Sequence, residues 1–391
     1  MPRIQTGLEH LVATLPDRLK GQRVGLLCNP ASVDGRLRHA RHIIHQMPDV
    51  HITALFSPQH GFFSEKQDNM VESDHGHDAF LNVPVYSLYG RSRTPETAML
   101  ADIDTLVVDL QDVGTRVYTF IYTMSYCLEA ARDADCRVLV LDRPNPVGGR
   151  RVEGNLLSPP MASFVGRYPI PMRHGMTIGE LALLFNRHFG IGCELEVVPM
   201  QGWCRDMLFA ETGLPWVAPS PNLPSPVSAL VYPGQVVWEG TNVSEGRGTT
   251  QPFELFGAPY LNPAAVRARL ANPDPPGVIF REAAFEPMFN KWNGILCRGF
   301  QIHVTAPSLV KPYETTLDLL QAVIACHGDG FEWKKPPYEY ETEKPPIDLI
   351  IGDRDIRVRL ERREPLDDII RSWSAELAAF KRLKQSFHLY E

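Results

Sequence analysis

Two glutamates stand six residues apart in the string Trp238-Glu239-Gly240-Thr241-Asn242-Val243-Ser244-Glu245-Gly246-Arg247-Gly248. Paired carboxylates in unlike environments are what glycoside hydrolysis requires. One stays protonated and donates to the leaving oxygen; the other stays ionised beside the positive charge at the sugar carbon. Glu239 and Glu245 are candidates for such a pair, with Asn242 and Arg247 beside them. The glycines between them allow tight backbone paths. The same spacing also suits a loop in which Glu and Arg pair only with each other.

Other polar clusters could complete a site. In Asp109-Leu110-Gln111-Asp112-Val113-Gly114-Thr115-Arg116-Val117-Tyr118, Asp112 follows an apolar run and Arg116 lies four residues on. This is either an ion pair or a clamp in which Arg reads a substrate carboxylate bidentately. His60 and Glu65 fall in Ser57-Pro58-Gln59-His60-Gly61-Phe62-Phe63-Ser64-Glu65, with Glu72 further along. Asp142, Arg143 and Asn145 end another apolar run, and could offer hydrogen bonds to sugar hydroxyls. His174 precedes a helix whose N-cap is Thr177, with Glu180 as its capping-box partner. Asp74, His75, His77 and Asp78 have metal-ligating side chains, but their spacing matches no metal motif. Trp203, Trp216 and Trp238 lie in or near a loop-rich stretch and suit either core packing or sugar stacking.

The elements that must hold these residues show a regular rhythm. RVGLLCNP (23–30), HITALFSPQ (51–59), PVYSLY (84–89), TLVVDLQDVG (105–114) and RVLVLDRPN (137–145) are apolar runs. Helical patterns fit 35–46, 95–102, 117–134 and 177–189, and a short strand fits 194–199. Continuous Val/Ile/Leu runs suit strands buried on both faces, and the alternation predicts an α/β fold with an open parallel sheet. In such sheets ligands bind beyond the carboxyl ends of the strands, so the polar clusters should gather at one rim. Residues 200–260 are rich in Pro and Gly yet carry aromatics, aliphatics and charges, as a long ordered functional loop region does. From about 277 the character changes. Strands fit 277–287 and 299–305, helices fit 313–327 and 365–383, and 334–353 reads as irregular. The expected organisation is an α/β domain over 1–260 and a smaller α+β, barrel-like domain over 261–391.

Composition narrows the classes. The chain has 391 residues, 44% hydrophobic and 22% charged, which suits a globular protein of two domains. A net charge of −7 disfavours a general nucleic-acid binder. No run of 18 apolar residues is present, so no membrane-spanning helix is expected. The first residues have no apolar signal-peptide core, and the seven scattered cysteines suit reduced thiols, so a cytoplasmic location is expected. No G-x-G-x-x-G follows the first apolar run, no P-loop occurs, and no G-x-S-x-G elbow is present. Dinucleotide, P-loop nucleotide and α/β-hydrolase chemistry are thereby disfavoured.

Over nearly its whole length the chain resembles the exo-β-N-acetylmuramidases of the NamZ type, formerly a domain of unknown function. The strings that carry the resemblance are PQHGFF, PVYSLYG, DLQDVGTRVYTFIYTM, LDRPNPVGG, HGMTIGELA, LPWVAPSPNLP, VYPGQVVWEGTNVSEGRGTTQPFELFGAP, NGILCRGFQIHVT and PPYEYE. The resemblance implies a Rossmann-like domain with a smaller C-terminal domain, and a cleft near the strand ends. It implies a glycosidase that removes N-acetylmuramic acid (MurNAc) from the non-reducing end of peptidoglycan fragments; no metal or organic cofactor is implied. Many members carry an Ala-Gly-Glu segment shortly after the His-Gly motif, and its Glu is a catalytic candidate. Here that stretch reads Ser64-Glu65-Lys66-Gln67-Asp68-Asn69-Met70-Val71-Glu72.

On this reading Glu239 pairs with Glu65 or Glu72, or Glu245 is one partner. Arg116, Arg143 or Arg247 binds the lactyl carboxylate of MurNAc. His60, Asp112, Tyr118, Asp142, Asn145, His174, Asn222 and Asn242 contact the rest of the sugar. Two other classes stand beside this one: a protein that binds muramic sugars without turnover, and a transglycosylase.

Overall fold

A computed structural model describes residues 3–391. Twelve strands organise it: β1 Arg23–Cys28, β2 His51–Ser57, β3 Gly76–Asp78, β4 Val83–Ser87, β5 Thr105–Asp109, β6 Arg137–Leu141, β7 Glu153–Leu156, β8 Pro171–Arg173, β9 Leu195–Val198, β10 Leu255–Ala258, β11 Val278–Phe285 and β12 Cys297–Val304. Seven form one sheet in the order β3-β4-β2-β1-β5-β6-β9. All its pairings are parallel except β3 with β4. β5 is buried at every residue, as the unbroken apolar run required.

The strand order runs outward in both directions from β1 and β5, so the topological switch point lies between these two strands. The polar clusters do gather at this rim, but the crevice at the switch point is already filled. Ser32 Oγ donates to the Asp109 carbonyl, Asn29 Nδ2 donates to the Pro219 carbonyl, and Arg143 forms a two-pronged pair with Asp109 at 2.5 and 2.8 Å. The space left there is about 20 Å³.

The remaining strands form a hairpin, β7-β8, and a three-stranded antiparallel sheet, β10-β12-β11. The second part of the chain is therefore α+β, as the sequence suggested, and its sheet is open rather than barrel-like. β10 belongs to this sheet although it precedes residue 261. Five helices follow this sheet: Pro312–Cys326, Pro346–Ile351, Arg354–Glu361, Leu366–Ser372 and Ser374–Gln385. Pro312–Cys326 packs on helix Pro226–Gln235 and on β7, and Ser374–Gln385 also packs on β7. The helical pattern at 365–383 is thus two helices, broken at Trp373. Within the stretch expected to be irregular, Pro346–Ile351 is helical and its six residues are all buried. No helix among the described residues is long and apolar enough to cross a membrane.

The two parts are joined by polar cores. Buried Arg116 donates to the carbonyls of Asn155, Ile170, Ile350 and Ile351. Gly240 lies so close to the helix at Ile347 that an added Cβ would sit 2.7 Å from Ile347 Cα. This contact packs the turn carrying Glu239 against the second part of the chain.

Candidate active site

Helix Pro226–Gln235 starts with Pro at N1 behind a Ser225 cap and runs directly into a tight turn, Val236–Gly240. Val237 and Trp238 of that turn are fully buried. Trp238 stacks on Phe256 at 5.1 Å between ring centroids. Its Nε1 donates to Gln235 Oε1, and Gln235 in turn donates to Thr316 Oγ1. This packing fixes Glu239, the next residue, at the wall of a polar cavity.

Three donors converge on Glu239. Arg247 reaches Oε1 at 2.6 Å; Tyr338 Oη and Asn69 Nδ2 donate to Oε2 at 2.8 and 3.3 Å. Arg247 is also ion-paired with Glu245 at 3.1 Å. Glu245 is buried behind it and salt-bridged to Lys291 at 2.8 Å. Burial pushes Glu245 upward, but the charges of Lys291 and Arg247 prevail and hold its carboxyl below the ordinary value. Lys291 also donates to the carbonyls of Trp238 and Val243, so it braces the whole loop.

A second carboxylate, Glu339, lines the same cavity. Gln59 Nε2 donates to its Oε1 at 3.0 Å and Tyr89 Oη to its Oε2 at 2.7 Å. Thr119 orients the Gln59 amide by donating to its carbonyl oxygen at 2.8 Å. Burial raises the Glu339 carboxyl to about 7, against the lowering effect of Tyr89 and Gln59. At pH 7 about half of these groups hold a proton, and below it most do. The cavity thus has one carboxylate paired with a guanidinium and one retaining its proton, the asymmetry that acid-assisted glycoside cleavage uses.

The backbone around Glu339 is unusual. Tyr338 and Glu341 exchange hydrogen bonds at 2.9 Å in both directions. The two residues between them, Glu339 and Tyr340, have φ of 45° and 69°. Such a turn ordinarily takes Asn-Gly, because positive φ is costly for residues with a Cβ. Two bulky residues held there are backbone strain of the kind that clusters at working sites. His60 is also strained, with φ of 80°. It pairs through Nδ1 with the Lys66 carbonyl at 2.8 Å, and burial lowers the imidazole to about 4. Neutral at physiological pH, it has Nε2 as an acceptor.

Tyr118 and Asn222 complete the polar wall. The Tyr118 hydroxyl makes no hydrogen bond of good geometry among the described residues. Asn222 ties the wall to segment 64–72 by donating to the Gln67 carbonyl at 2.8 Å. The space between these walls is about 30 Å³, room for about one water.

Of the residues expected from sequence, the cavity brings together His60, Tyr118, Asn222, Glu239 and Arg247. The others lie elsewhere. Glu65 is exposed and accepts from the Phe63 amide; Glu72 is exposed near the Tyr340 hydroxyl. Segment 64–72 instead contributes Asn69 to Glu239, and Met70, whose Sδ lies 3.4 Å from the Glu339 amide. Arg116 and Arg143 are engaged as described above, and neither guanidinium is free to clamp a substrate carboxylate. Asp112 faces His174 at 3.3 Å in a buried pair away from the cavity. Asp142 accepts from Thr177 Oγ1, the Gly179 amide and Tyr390 Oη, so it anchors the start of helix Ile178–Leu183. Thr177 and Glu180 form the expected capping box. Asn145 stitches a turn through Val147 and Met176. Asn242 joins Tyr260, Gly330 and Glu332. Trp203 packs on Tyr390 and Trp216 on Phe209, both outside the cavity. Glu339 was not singled out from sequence; its signal was the carboxylate between two tyrosines in PPYEYE.

Comparison with known proteins places this geometry in context. A family model for the N-terminal part of the exo-β-N-acetylmuramidase NamZ matches residues 24–227, and one for its C-terminal part matches 230–390. A peptidoglycan β-N-acetylmuramidase NamZ from Bacillus subtilis is 43% identical over 389 residues, covering 100% of this chain and 92% of that protein. Two crystal structures of DUF1343 family proteins from Bacteroides fragilis share the fold. One has a TM-score of 0.89 at 35% identity, the other 0.77 at 27%. Each alignment covers 100% of this chain and 99% of the other.

Proposed function

The chain belongs to the exo-β-N-acetylmuramidase NamZ family, and from that membership we infer that it is a glycoside hydrolase releasing MurNAc from the non-reducing end of peptidoglycan fragments. Glu339 is the general acid and Glu239 the charged partner. As the bond between the anomeric carbon and the glycosidic oxygen breaks, the Glu339 proton moves to that oxygen. The positive charge that builds on the sugar ring then faces Glu239, whose orientation Arg247, Tyr338 and Asn69 fix in advance. Water from solvent adds its oxygen to the anomeric carbon, and the proton it sheds restores Glu339. Each Glu339 oxygen already accepts one hydrogen bond within the protein, from Gln59 or Tyr89, so the acid proton is left for the cavity side.

The observation that carries this reading is the pairing of unlike carboxyl environments in one cavity: Glu239 against Arg247, and Glu339 buried with its carboxyl raised to about 7. His60, Tyr118 and Asn222 supply hydrogen bonds to the sugar. All seven cysteines are free and five are buried, which supports a reducing, cytoplasmic compartment.

The test is sugar release from a chromogenic β-MurNAc glycoside, with the β-GlcNAc glycoside as control. Wild type is run beside Glu239→Gln, Glu339→Gln, Glu65→Gln and Glu72→Gln. The expected result is turnover of the muramic substrate, lost in Glu239→Gln, retained in Glu65→Gln and Glu72→Gln, and only modestly reduced in Glu339→Gln, because the activated leaving group needs little acid assistance. Binding of free MurNAc with no turnover of either glycoside would reject the hydrolase and favour a sugar-binding protein.

A further inference from the structure

MurNAc differs from GlcNAc by a lactyl ether at C3, which ends in a carboxylate. A site selective for it needs a cation with free donors, because an unpaired carboxylate taken from water is costly. The cavity's own cations are already committed. Arg247 is shared between Glu239 and Glu245, and Lys291 is spent on Glu245 and two carbonyls.

Arg93 is different. It is half-buried, and among the described residues it has no carboxylate within salt-bridge distance. Its guanidinium lies over the Tyr340 ring, 4.0 Å from the centroid. Stacking on an aromatic face holds the planar group in place and leaves its N–H edge available for a two-pronged contact with a carboxylate. Tyr340 is the residue after Glu339 in the strained turn, and its ring meets Tyr89 edge-on at 5.5 Å. Tyr89 is the residue whose hydroxyl holds Glu339. One tyrosine ring therefore separates the free guanidinium from the residue that bears the acid. The lactyl ether at C3 and the glycosidic oxygen at C1 belong to the same sugar ring, so a reader of one and a donor to the other must stand this near each other.

We propose that Arg93, stacked on Tyr340 next to the residue that bears the acid, reads the lactyl carboxylate and sets the preference for MurNAc over GlcNAc. This rests on the hydrolase reading above. The strained turn then has two duties: its first central residue carries the acid, and its second is the platform for the reader.

The test removes the carboxylate from the substrate as well as the arginine from the protein. Wild type, Arg93→Ala and Arg93→Lys are compared on the β-MurNAc glycoside, its lactyl methyl ester and the β-GlcNAc glycoside. Arg93→Ala should lower kcat/KM on the free acid about 10- to 100-fold, chiefly through KM, the range expected for a charge-assisted contact. It should leave the ester and the GlcNAc glycoside within about twofold of wild type. Arg93→Lys should recover part of the loss. Equal discrimination between acid and ester by wild type and Arg93→Ala would overturn the proposal, as would a parallel fall on all three substrates. If wild type turns over none of them, the hydrolase reading fails instead. Calorimetric binding of free MurNAc against its methyl ester then decides the role of Arg93 by the same comparison.

Discussion

Replacing Glu339 by Gln keeps the shape of the side chain and removes its proton. The new amide oxygen can still accept from Gln59, and the amide nitrogen can donate to the Tyr89 oxygen, so the turn should survive. A positioned general acid contributes about 10²- to 10⁴-fold in rate, or about 3–5 kcal/mol of barrier. On a MurNAc-GlcNAc disaccharide, whose leaving group needs the proton, kcat/KM should fall by that factor. On a nitrophenyl glycoside, whose leaving group needs it far less, the fall should be much smaller. The same substitution should act on stability in the opposite sense. Burial raises the Glu339 carboxyl from 4.5 to about 7, so between these values the native state keeps a proton that the unfolded chain releases. Stability is therefore lost as pH rises through that interval, and the loss levels off above pH 7 at about 3 kcal/mol. Glu339→Gln escapes it. Urea unfolding should show the variant more stable than wild type at pH 8 and equal to it near pH 4. Wild-type kcat/KM should also fall about tenfold per pH unit above pH 7 as the acid ionises. An equal loss on both leaving groups, or no difference in stability between pH 4 and pH 8, would refute the assignment of Glu339 as the proton donor.

Arg247→Met would leave Glu239 and Glu245 buried with Lys291 as their remaining cation. Breaking such a network should cost about 3–5 kcal/mol, read as a lower urea midpoint, together with loss of MurNAc release. Arg116→Met removes the donor to four buried carbonyls, and each unsatisfied group costs about 1–3 kcal/mol. The urea midpoint should drop sharply, while KM for the MurNAc glycoside measured on folded protein stays unchanged; a raised KM would restore the clamp expected from sequence. Lys384 donates to the carbonyls of Gly149 and Gly175, and burial lowers its amine to about 7. The native state releases this proton before the unfolded chain does, so wild-type stability should rise between pH 7 and about 10.5. In Lys384→Met that rise should shrink, and the gain in melting temperature over wild type should be greatest below pH 7.

The parallel sheet was legible because its strands are buried on both faces, and such strands leave unbroken apolar runs such as TLVVD. The helix Pro312–Cys326 and the Thr177–Glu180 cap were legible for the same local reasons of periodicity and hydrogen-bond chemistry. Glu239 and Arg247 were found because they are close in sequence and carry opposite charge. Glu339 was passed over because its partners, Gln59 and Tyr89, lie far away in the chain and no local spacing announces them. Asp142 and Arg143 were misleading in the opposite way. They sit at the carboxyl end of a strand, where ligands commonly bind, yet their hydrogen bonds close the sheet onto itself. Residue type and position suggested the chemistry; only the partners decided between a site and a brace.

The hydrogen bond between Gln59 and Glu339 spans 280 positions. Nothing local can form it, because it joins the loop after β2 to a turn far along the chain. Contacts of such high sequence separation carry a large loop-closure cost and tend to come late in folding. The proton donor is thus held by a contact of the kind that tends to form late. A refolding chain should regain its helical signal before it regains any power to cut a glycosidic bond, and the lag between the two would time the closure of that single contact.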